Sequence, residues 1–315
     1  MIKMFISFKE IEKKILDNKV VATIALAGSH DEDALASIVY ARRKNIVKAI
    51  MIGDEKKTKD ILLSMGEDEL NYEFINETNE GVAAKKACQL VAQKKADIPM
   101  KGLIQTSIFL RPILEKDEGF VPNKGLISQA TVYEYRKKNK LLIISDCAIN
   151  IEPTYEEKFK ITENAVKLSR QLGNPCPYVA IIAPMEMVNP KIQSTVDAAM
   201  LSKAGDRKQI KSCIIDGPLG LDNAVSEEAA KHKGIVSNAA GQADILIMPD
   251  LGAGNIFTKS LVYFGDGSPS SGTIAGTSVG VVMTSRSETA ENKYNSILIA
   301  LLQSNVIIPG NGGKI

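Results

Sequence analysis

The segment TSRSETAENK, residues 284–293, places an arginine between two serines directly after the apolar run SVGVVM. Ser285 and Glu288 have the S-x-x-E spacing of a helix capping box, which alone would explain both residues. A cap does not explain Arg286, because the positive end of a helix dipole disfavours a cation. A bound anion would offset that cost, since backbone N–H groups, hydroxyls and a guanidinium can all donate to it. The segment therefore predicts a phosphate site at Ser285 and Arg286, with a plain helix cap as the alternative.

Three other segments place polar side chains after predicted strands, where ligands collect in parallel sheets. They are KGLIQTSIFLRPIL with Thr106 and Arg111, SDCAINIEPT with Asp146 and Asn150, and MPDLGAGNIFTK with Asp250 and Asn255. Each has a structural alternative: Thr106 could be an N-cap, Arg111 could pair with an acid on a solvated face, and the glycines before Asn255 could serve a turn. The residues alone leave these alternatives open.

Short β-branched runs alternate with amphipathic segments along the chain, which is typical of parallel sheets covered by helices on both faces. Strands are predicted at residues 20–28, 48–54, 72–76, 101–105, 140–147, 178–184, 211–216, 243–250 and 278–283. Helices are predicted at DALASIVYARRKN, EGVAAKKACQLVAQKK, EEKFKITENAVKLSRQL and SEEAAKHKG. The predicted fold class is therefore α/β, with doubly wound sheets.

Two places break this alternation and mark the domain boundaries. ISQATVYEYR and KLLIISDC, separated by KKN, predict an antiparallel hairpin that begins near residue 127. GDGSPSSGTIAGTS, residues 265–278, is rich in glycine and serine and predicts a crossing segment more than a folded element. We therefore expect a first α/β domain of residues 1–126 plus 274–315, and an inserted α/β domain of residues 127–273. A cleft between two such domains is the natural place for a site.

Composition argues against several classes of protein. A chain of 315 residues is long for one hydrophobic core and comfortable for two. The net charge of +2 and the short basic clusters suggest neither a nucleic-acid surface nor a membrane surface. Four cysteines without a C-x-x-C pair and only two histidines favour reduced thiols over a zinc site. The charged N-terminus does not make a signal peptide, and no apolar run reaches the ~20 residues of a membrane helix, so a soluble, cytoplasmic protein is expected.

Several ordered motifs resemble those of the phosphate acetyl/butyryltransferase family. The motifs are GLIQTSIFLRPIL, SDCAINIEPT, DGPLGLDNAV, ADILIMPDLGAGNI and TSRS. TSRSETAENK is more similar to the butyryl branch than to the S-R-G version of the acetyl branch, and the short chain favours the same branch. The resemblance implies reversible transfer of an acyl group, butyryl ahead of acetyl, between CoA and inorganic phosphate. It also implies a two-domain fold like that of the isocitrate and isopropylmalate dehydrogenases, a homodimer, and no metal or bound prosthetic group.

The same resemblance implies roles for the site residues. Ser285 would hydrogen-bond the phosphate or the reacting carbonyl. Arg286 would bind phosphate and stabilise the negative charge that grows on the carbonyl oxygen, an electrostatic contribution often worth ~3–4 kcal/mol. Arg111 would contact phosphate or CoA, and Thr106 would line the same pocket. Holding both substrates in place also lowers the barrier, because positioning removes translational and rotational entropy.

Asp250 and Asn255 would shape the opposite wall. In the acetyltransferases an aspartate seven residues after the motif serine takes the proton of the CoA thiol, and the corresponding residue here is Asn292, which cannot act as a base. Glu291 is adjacent, but a shift of one residue on a helix turns a side chain by about 100°. Either Glu291 is the base, or a positive site suffices because a thiol with a pKa near ~8.5 is partly ionised at neutral pH.

Two other functions remain as alternatives. An NAD-dependent decarboxylating dehydrogenase would have a similar fold, but Asp216, Asp222 and Asp250 are scattered and GAGNIF is an incomplete dinucleotide fingerprint. A non-catalytic protein that binds CoA or acyl phosphate would also keep the fold, and Asn292 is the feature that favours it. Activity that depends on Mg²⁺ and NAD would identify the first alternative. Tight CoA binding without turnover would identify the second.

Overall fold

The computed structural model describes residues 4–19, 21–115, 119–122, 125–285 and 288–304. These residues divide into two compact units. The first unit comprises the described parts of Phe8–Lys124 and Ser271–Ile315, and the inserted unit comprises the described parts of Met1–Ser7 and Gly125–Ser270. Within the described ranges, no helix combines the length and the apolar character that crossing a bilayer requires.

The first unit contains a parallel four-stranded sheet and its covering helices. Its elements up to residue 115 are α1 (Phe8–Asn18), β1 (Ala22–Ala27), α2 (Glu32–Arg43), β2 (Val47–Gly53), α3 (Glu55–Ser64), a 3₁₀ turn (Glu69–Asn71), β3 (Glu73–Asn76), α4 (Glu80–Ala92), β4 (Ile98–Lys101) and α5 (Thr106–Ile113). The strand order is β3-β2-β1-β4, and each neighbouring pair is parallel. All residues of β1 are buried except the half-buried Thr23. This burial on both faces of the sheet accounts for the apolar character of the other five residues.

The inserted unit contains a second sheet. Its elements are β5 (Ser128–Tyr135), a 3₁₀ turn (Arg136–Lys138), β6 (Lys140–Ser145), α6 (Tyr155–Gln171), β7 (Tyr178–Ile182), α7 (Gln193–Asp206), β8 (Ile214–Leu219), α8 (Leu221–Val225), α9 (Glu227–His232), β9 (Ile245–Ile247) and α10 (Leu251–Phe264). They are followed by β10 (Ser270–Ala275), which belongs to the first unit from Ser271 onward, and by α11 (Ala290–Gln303) of the first unit. Within this unit the strand order is β5-β6-β9-β7-β8, in which β6, β9, β7 and β8 run parallel.

The predicted hairpin between ISQATVYEYR and KLLIISDC is confirmed. β5 and β6 pair antiparallel, from Ala130 opposite Ser145 to Tyr135 opposite Lys140. The turn closes at Asn139, whose φ of 52° lies in the left-handed region that asparagine tolerates better than most residues. The chain start also belongs to this unit, since Phe5 donates its backbone N–H to a carbonyl that follows α6 (3.1 Å). The sequence-based division places these first residues in the other domain.

The strands predicted at residues 101–105 and 278–283 differ most from the structure. The strand predicted at residues 101–105 ends at Lys101, and the chain turns at Gly102, where an added Cβ would lie 2.3 Å from a backbone carbonyl oxygen. The run 278–283 forms no strand and has a single parallel bridge, from Val282 to Met100. A glycine that must approach another backbone closely interrupts an apolar run that pattern alone assigns to a strand.

The glycine-rich stretch also differs from its prediction. Its central residues SSGTIA form β10, and all six of them are buried. Glycine and serine have low strand propensity, so the local pattern indicates a crossing segment. The burial of all six residues shows that tertiary packing overrides this propensity.

Candidate active site

The segment that carries Ser285 leaves the sheet edge of the first unit beside β4. The backbone N–H of Lys101 donates to the carbonyl of Val282 (2.9 Å), and Val282 in turn donates to the carbonyl of Pro99 (3.1 Å). Because this bridge is parallel, the residues that follow β4 and those that follow Val282 both emerge from the carboxyl end of the sheet. This is the edge at which parallel α/β sheets bind ligands. The fold therefore brings the loops of Thr106 and Ser285 to one edge.

The helix-cap interpretation of Ser285 is wrong. Helix α11 begins at Ala290, and its N-cap is Thr289, whose hydroxyl accepts the N–H of Asn292 (3.2 Å). Ser285 lies before the helix and is exposed. Its N–H donates to Glu288 Oε1 (3.3 Å), and its carbonyl accepts the N–H of Glu288 (3.2 Å), so the pair closes a turn. The adjacent Arg286 lies outside the described residues.

The two candidates for the base lie in the first turn of α11. Glu291 is exposed, and Asn292 is half-buried. The backbone of Asn292 is used in the helix start, and its carbonyl accepts the hydroxyl of Ser296 (3.0 Å). Of the two residues, only Glu291 has a group that can take a proton.

Lys293 is a residue of this segment that sequence reasoning missed. Its side chain is 2% exposed, and its Nζ donates to the carbonyl of Ser285 (3.1 Å). The signal was present in the sequence, because Lys293 begins the run KYNSILIALL, whose residues are otherwise apolar or small and uncharged. A charged residue at the head of such a run is either at the surface or held by specific contacts.

Helix α5 presents the second group of predicted residues. Its N-cap is Gln105, whose side chain makes no capping hydrogen bond, so the N-cap interpretation of Thr106 is wrong. Thr106 is instead the first helical residue and is exposed. Arg111 is also exposed, in the last turn, and no ion pair joins it to a carboxylate in the described part of the chain. Both side chains are therefore accessible to a ligand.

The predicted residues of the inserted unit have structural contacts. Asp250 is the N-cap of α10, and its Oδ1 accepts the N–H of Ala253 (2.8 Å). Asn255 donates its Nδ2 to the carbonyl of Cys147 (3.2 Å). The second glycine of GAGN, Gly254, has no room for a side chain, because an added Cβ would lie 2.2 Å from the carbonyl oxygen of Asp146. These residues join α10 to the loop that follows β6.

That loop is built around Asp146. Its Oδ1 accepts the N–H groups of Ala148 (2.8 Å) and Ile149 (3.1 Å), and its Oδ2 accepts both the backbone N–H (3.1 Å) and the side-chain amide (2.5 Å) of Asn150. The Asp146 side chain is thus fully used within the loop. Burial raises the pKa of the neighbouring Cys147 thiol, which keeps it protonated. Neither group is free to act on a substrate.

A cavity of about 1510 Å³ lies in the inserted unit at the carboxyl ends of β6, β7, β8 and β9. Asp250 lines it, together with Lys158, Glu186, Asp197, Asp222 and Lys233. Lys158 and Asp197 form a buried ion pair (2.7 Å), and Lys233 lies 2.6 Å from Glu186. Hydrogen bonds to Glu186 and then Asp222 raise the pKa of Lys233, so these cations are held by the unit's own carboxylates.

The sequence model of the phosphate acetyl/butaryl transferase family matches residues 61–301. The phosphate butyryltransferase of Clostridium acetobutylicum is 44% identical over 299 residues, which are 95% of this chain and 98% of the relative. The phosphate acetyltransferase of Thermotoga maritima is 38% identical over 277 residues, 88% of this chain and 93% of the relative. A branched-chain phosphotransacylase from Enterococcus faecalis has a TM-score of 0.80 at 31% identity, covering 90% of this chain and 99% of that one. The α/β fold class is confirmed, and this chain belongs to the phosphate acetyl/butaryl transferase family.

Proposed function

We propose that this protein transfers an acyl group, with butyryl preferred over acetyl, between CoA and inorganic phosphate. A phosphate oxygen attacks the thioester carbonyl, the carbon–sulfur bond breaks, and the CoA sulfur leaves and is protonated. The products are the acyl phosphate and free CoA, and the reaction is reversible. One observation carries the proposal. Ser285 and Thr106 follow two neighbouring parallel segments, at the carboxyl end of the sheet of the first unit. The 44% identity to a phosphate butyryltransferase supports the butyryl branch.

The exposed side chains of the first unit take the binding roles in this proposal. Ser285 and Thr106 donate hydroxyls to phosphate or to the reacting carbonyl. Arg286 and Arg111 supply the positive charge, since a guanidinium binds phosphate with two parallel hydrogen bonds. Arg286 also stabilises the oxyanion that forms when phosphate attacks. CoA and acyl-CoA are substrates, and the proposed chemistry uses no metal or prosthetic group.

Glu291 is the proposed base for the CoA thiol. Its exposure leaves the carboxylate accessible, whereas Asn292 has no group that can accept the proton. In the direction that forms acyl-CoA, Glu291 accepts the thiol proton as sulfur attacks the acyl phosphate. General base catalysis of this kind typically contributes 10²–10⁴-fold to the rate.

The proposed assembly is a homodimer formed through α10 in the cytoplasm. Only Gly254 is buried among the residues of this helix. Its apolar side chains Ile256, Tyr263 and Phe264 are 69%, 68% and 89% exposed and lie seven and eight positions apart, on one helix face. Apolar patches of this kind mark interaction surfaces. A second copy of the chain is the partner, because one helix face can pack against itself across a two-fold axis.

Release of free CoA thiol tests the proposed reaction. The wild-type protein is expected to release thiol from butyryl-CoA only when phosphate is present, and with a higher kcat/KM than from acetyl-CoA. Arg286→Ala is expected to lower kcat/KM about 10²–10³-fold, as for loss of one oxyanion donor. Arg207→Ala, which removes an exposed arginine of the inserted unit, is the matched control and should leave the rate unchanged.

Three results would each contradict part of the proposal. A higher kcat/KM with acetyl-CoA would assign the chain to the acetyl branch. Full activity in Arg286→Ala would remove this arginine from the reaction. Absence of release from both substrates by a folded protein that still binds CoA would identify a non-catalytic CoA-binding protein.

A further inference from the structure

Lys293 is a buried cation next to the candidate phosphate site. It opens a stretch of α11, Lys293–Leu302, in which all the residues are buried. Lysine is almost never fully buried unless specific contacts hold its ammonium group, because removing that charge from water costs far more than burying an apolar side chain. Its position in the first turn of α11, where the dipole disfavours a cation, adds to this cost. Contacts of the Lys293 ammonium group must therefore offset this cost.

One such contact joins Lys293 to the turn that carries Ser285. Nζ donates to the carbonyl oxygen of Ser285 (3.1 Å), which also accepts the N–H of Glu288 (3.2 Å). Ser285 itself is exposed and lies outside the helix, so its position depends on such contacts. The hydrogen bond from Lys293 ties the exposed turn to the buried body of α11.

A second buried lysine lies at the same edge of the sheet. Lys101, at the end of β4, is 3% exposed, and its Nζ donates to the carbonyls of Gly102 (3.3 Å) and Ile104 (3.4 Å). These carbonyls belong to the loop that leads to Thr106. A buried ammonium group thus donates hydrogen bonds to each of the two loops: Lys101 to the loop of Thr106, and Lys293 to the loop of Ser285. Two cations at one sheet edge also raise the local electrostatic potential, which favours an anionic substrate.

We propose that Lys293 is a positioning residue for the phosphate substrate. It holds the Ser285 carbonyl and thereby the Ser285 donors in the geometry that phosphate requires. The proposal rests on the proposed function as a phosphate acyltransferase. Loss of this contact lets the turn move, which weakens phosphate binding and slows its attack. The acyl-CoA binding site is not expected to depend on it.

The test compares Lys293→Met with Thr289→Ala. Methionine keeps most of the side-chain volume but removes the ammonium group. Thr289→Ala removes the N-cap of α11, and so loosens the same helix start without removing the donor to Ser285. Lys293→Met is expected to lower kcat/KM for phosphate about 10- to 100-fold, the size expected for a lost hydrogen bond from a charged donor, and to change the KM for butyryl-CoA less than about twofold. Thr289→Ala is expected to change both constants less than about twofold.

The outcomes separate this inference from the proposed function. If wild type releases CoA with phosphate and Lys293→Met retains its kcat/KM for phosphate, the positioning role is refuted. A rise in the KM for butyryl-CoA as large as the rise in the KM for phosphate would indicate a purely structural lysine and refute it. An equal fall in kcat/KM for phosphate in Thr289→Ala would refute it as well. Lack of activity in wild type would instead contradict the proposed function. If Lys293→Met does not fold by circular dichroism, Lys293→Gln, a smaller polar change, is measured by the same criteria.

Discussion

At the scale of single residues, the carboxylates near the strand ends differ in what they are free to do. Asp146 accepts four hydrogen bonds within its own loop, and Asp250 caps α10. Both follow predicted strands in the sequence, and both side chains accept backbone N–H groups of their own unit. Glu291 is exposed in the first turn of α11. Glu291 therefore differs from Asp146 and Asp250 in that its carboxylate is accessible to a ligand.

Replacement of Glu291 by glutamine tests its role as the base. The amide cannot take the thiol proton, so kcat for acyl-CoA formation is expected to fall about 10²-fold. The measurement is the pH–rate profile of acyl-CoA formation from acyl phosphate and CoA, for wild type and Glu291→Gln.

Glu32→Gln is the matched control, since Glu32 is also an exposed acid in the first turn of a helix of the same unit. It should leave the profile unchanged. A Glu291→Gln profile equal to that of wild type would show that the positive site ionises the thiol without a dedicated base.

At the scale of elements, α2 is joined to the segment before β3 by one buried carboxylate. Glu67 accepts hydrogen bonds from Arg42 (2.6 Å), Arg43 (2.8 Å) and Tyr72 (2.8 Å). Burial by itself would raise the pKa of this carboxyl, but the three hydrogen bonds outweigh burial and hold its pKa below the ordinary value of 4.5. The ionised form is therefore the one that stabilises the fold.

The pH dependence of stability follows from this shift. A carboxyl with a lowered pKa stabilises the folded state above its ordinary, unfolded pKa, and the contribution disappears as the pH falls through the lower, folded pKa. Glu67→Gln is expected to lower the free energy of unfolding by about 1–3 kcal/mol at pH 7, as for hydrogen bonds to a charged group. The difference from wild type should shrink below about pH 4.

Urea unfolding at pH 7 and pH 3 measures this effect. Glu69→Gln is the control, because Glu69 belongs to the same segment but its side chain is 53% exposed and lies 3.4 Å from Lys59. An exposed pair of this kind contributes little to stability. A difference between Glu67→Gln and wild type that stays constant from pH 7 to pH 3 would contradict the assigned pKa shift.

At the scale of the whole molecule, the apolar face of α10 decides the proposed assembly. Phe264→Glu places a charge on the most exposed apolar side chain of that face, so it is expected to shift the protein from dimer to monomer. Analytical ultracentrifugation at several concentrations measures the change. Val236→Glu is the control, since Val236 is a fully exposed apolar residue of a loop. A dimer that persists in Phe264→Glu, or a wild-type monomer, would place the interface elsewhere or remove it.

Features that depend on neighbours in the sequence could be predicted. The alternation of strands and helices, the β5–β6 hairpin and the starts of α2 and α4 follow from patterns a few residues long. Capping bonds such as those of Asp31 and Asn79 join residues two or three positions apart, so the chain encodes them locally. Family membership was equally accessible, because ordered motifs carry it in the sequence itself.

Features that depend on remote elements could not be predicted. The composition of β10 predicts a loop, although the strand is buried. The pattern of residues 278–283 predicts a strand, although only one bridge forms. Local propensity does not include pairing with distant segments. Ser285 fits a capping box by spacing, yet the helix starts later, at the competing cap Thr289. The burial of Lys293 and its bond to Ser285 depend on what packs around α11. Sequence alone determined the family and the order of elements, whereas the tertiary structure decided which side chains are buried, accessible or already used, since burial arises only from packing between segments far apart in the chain.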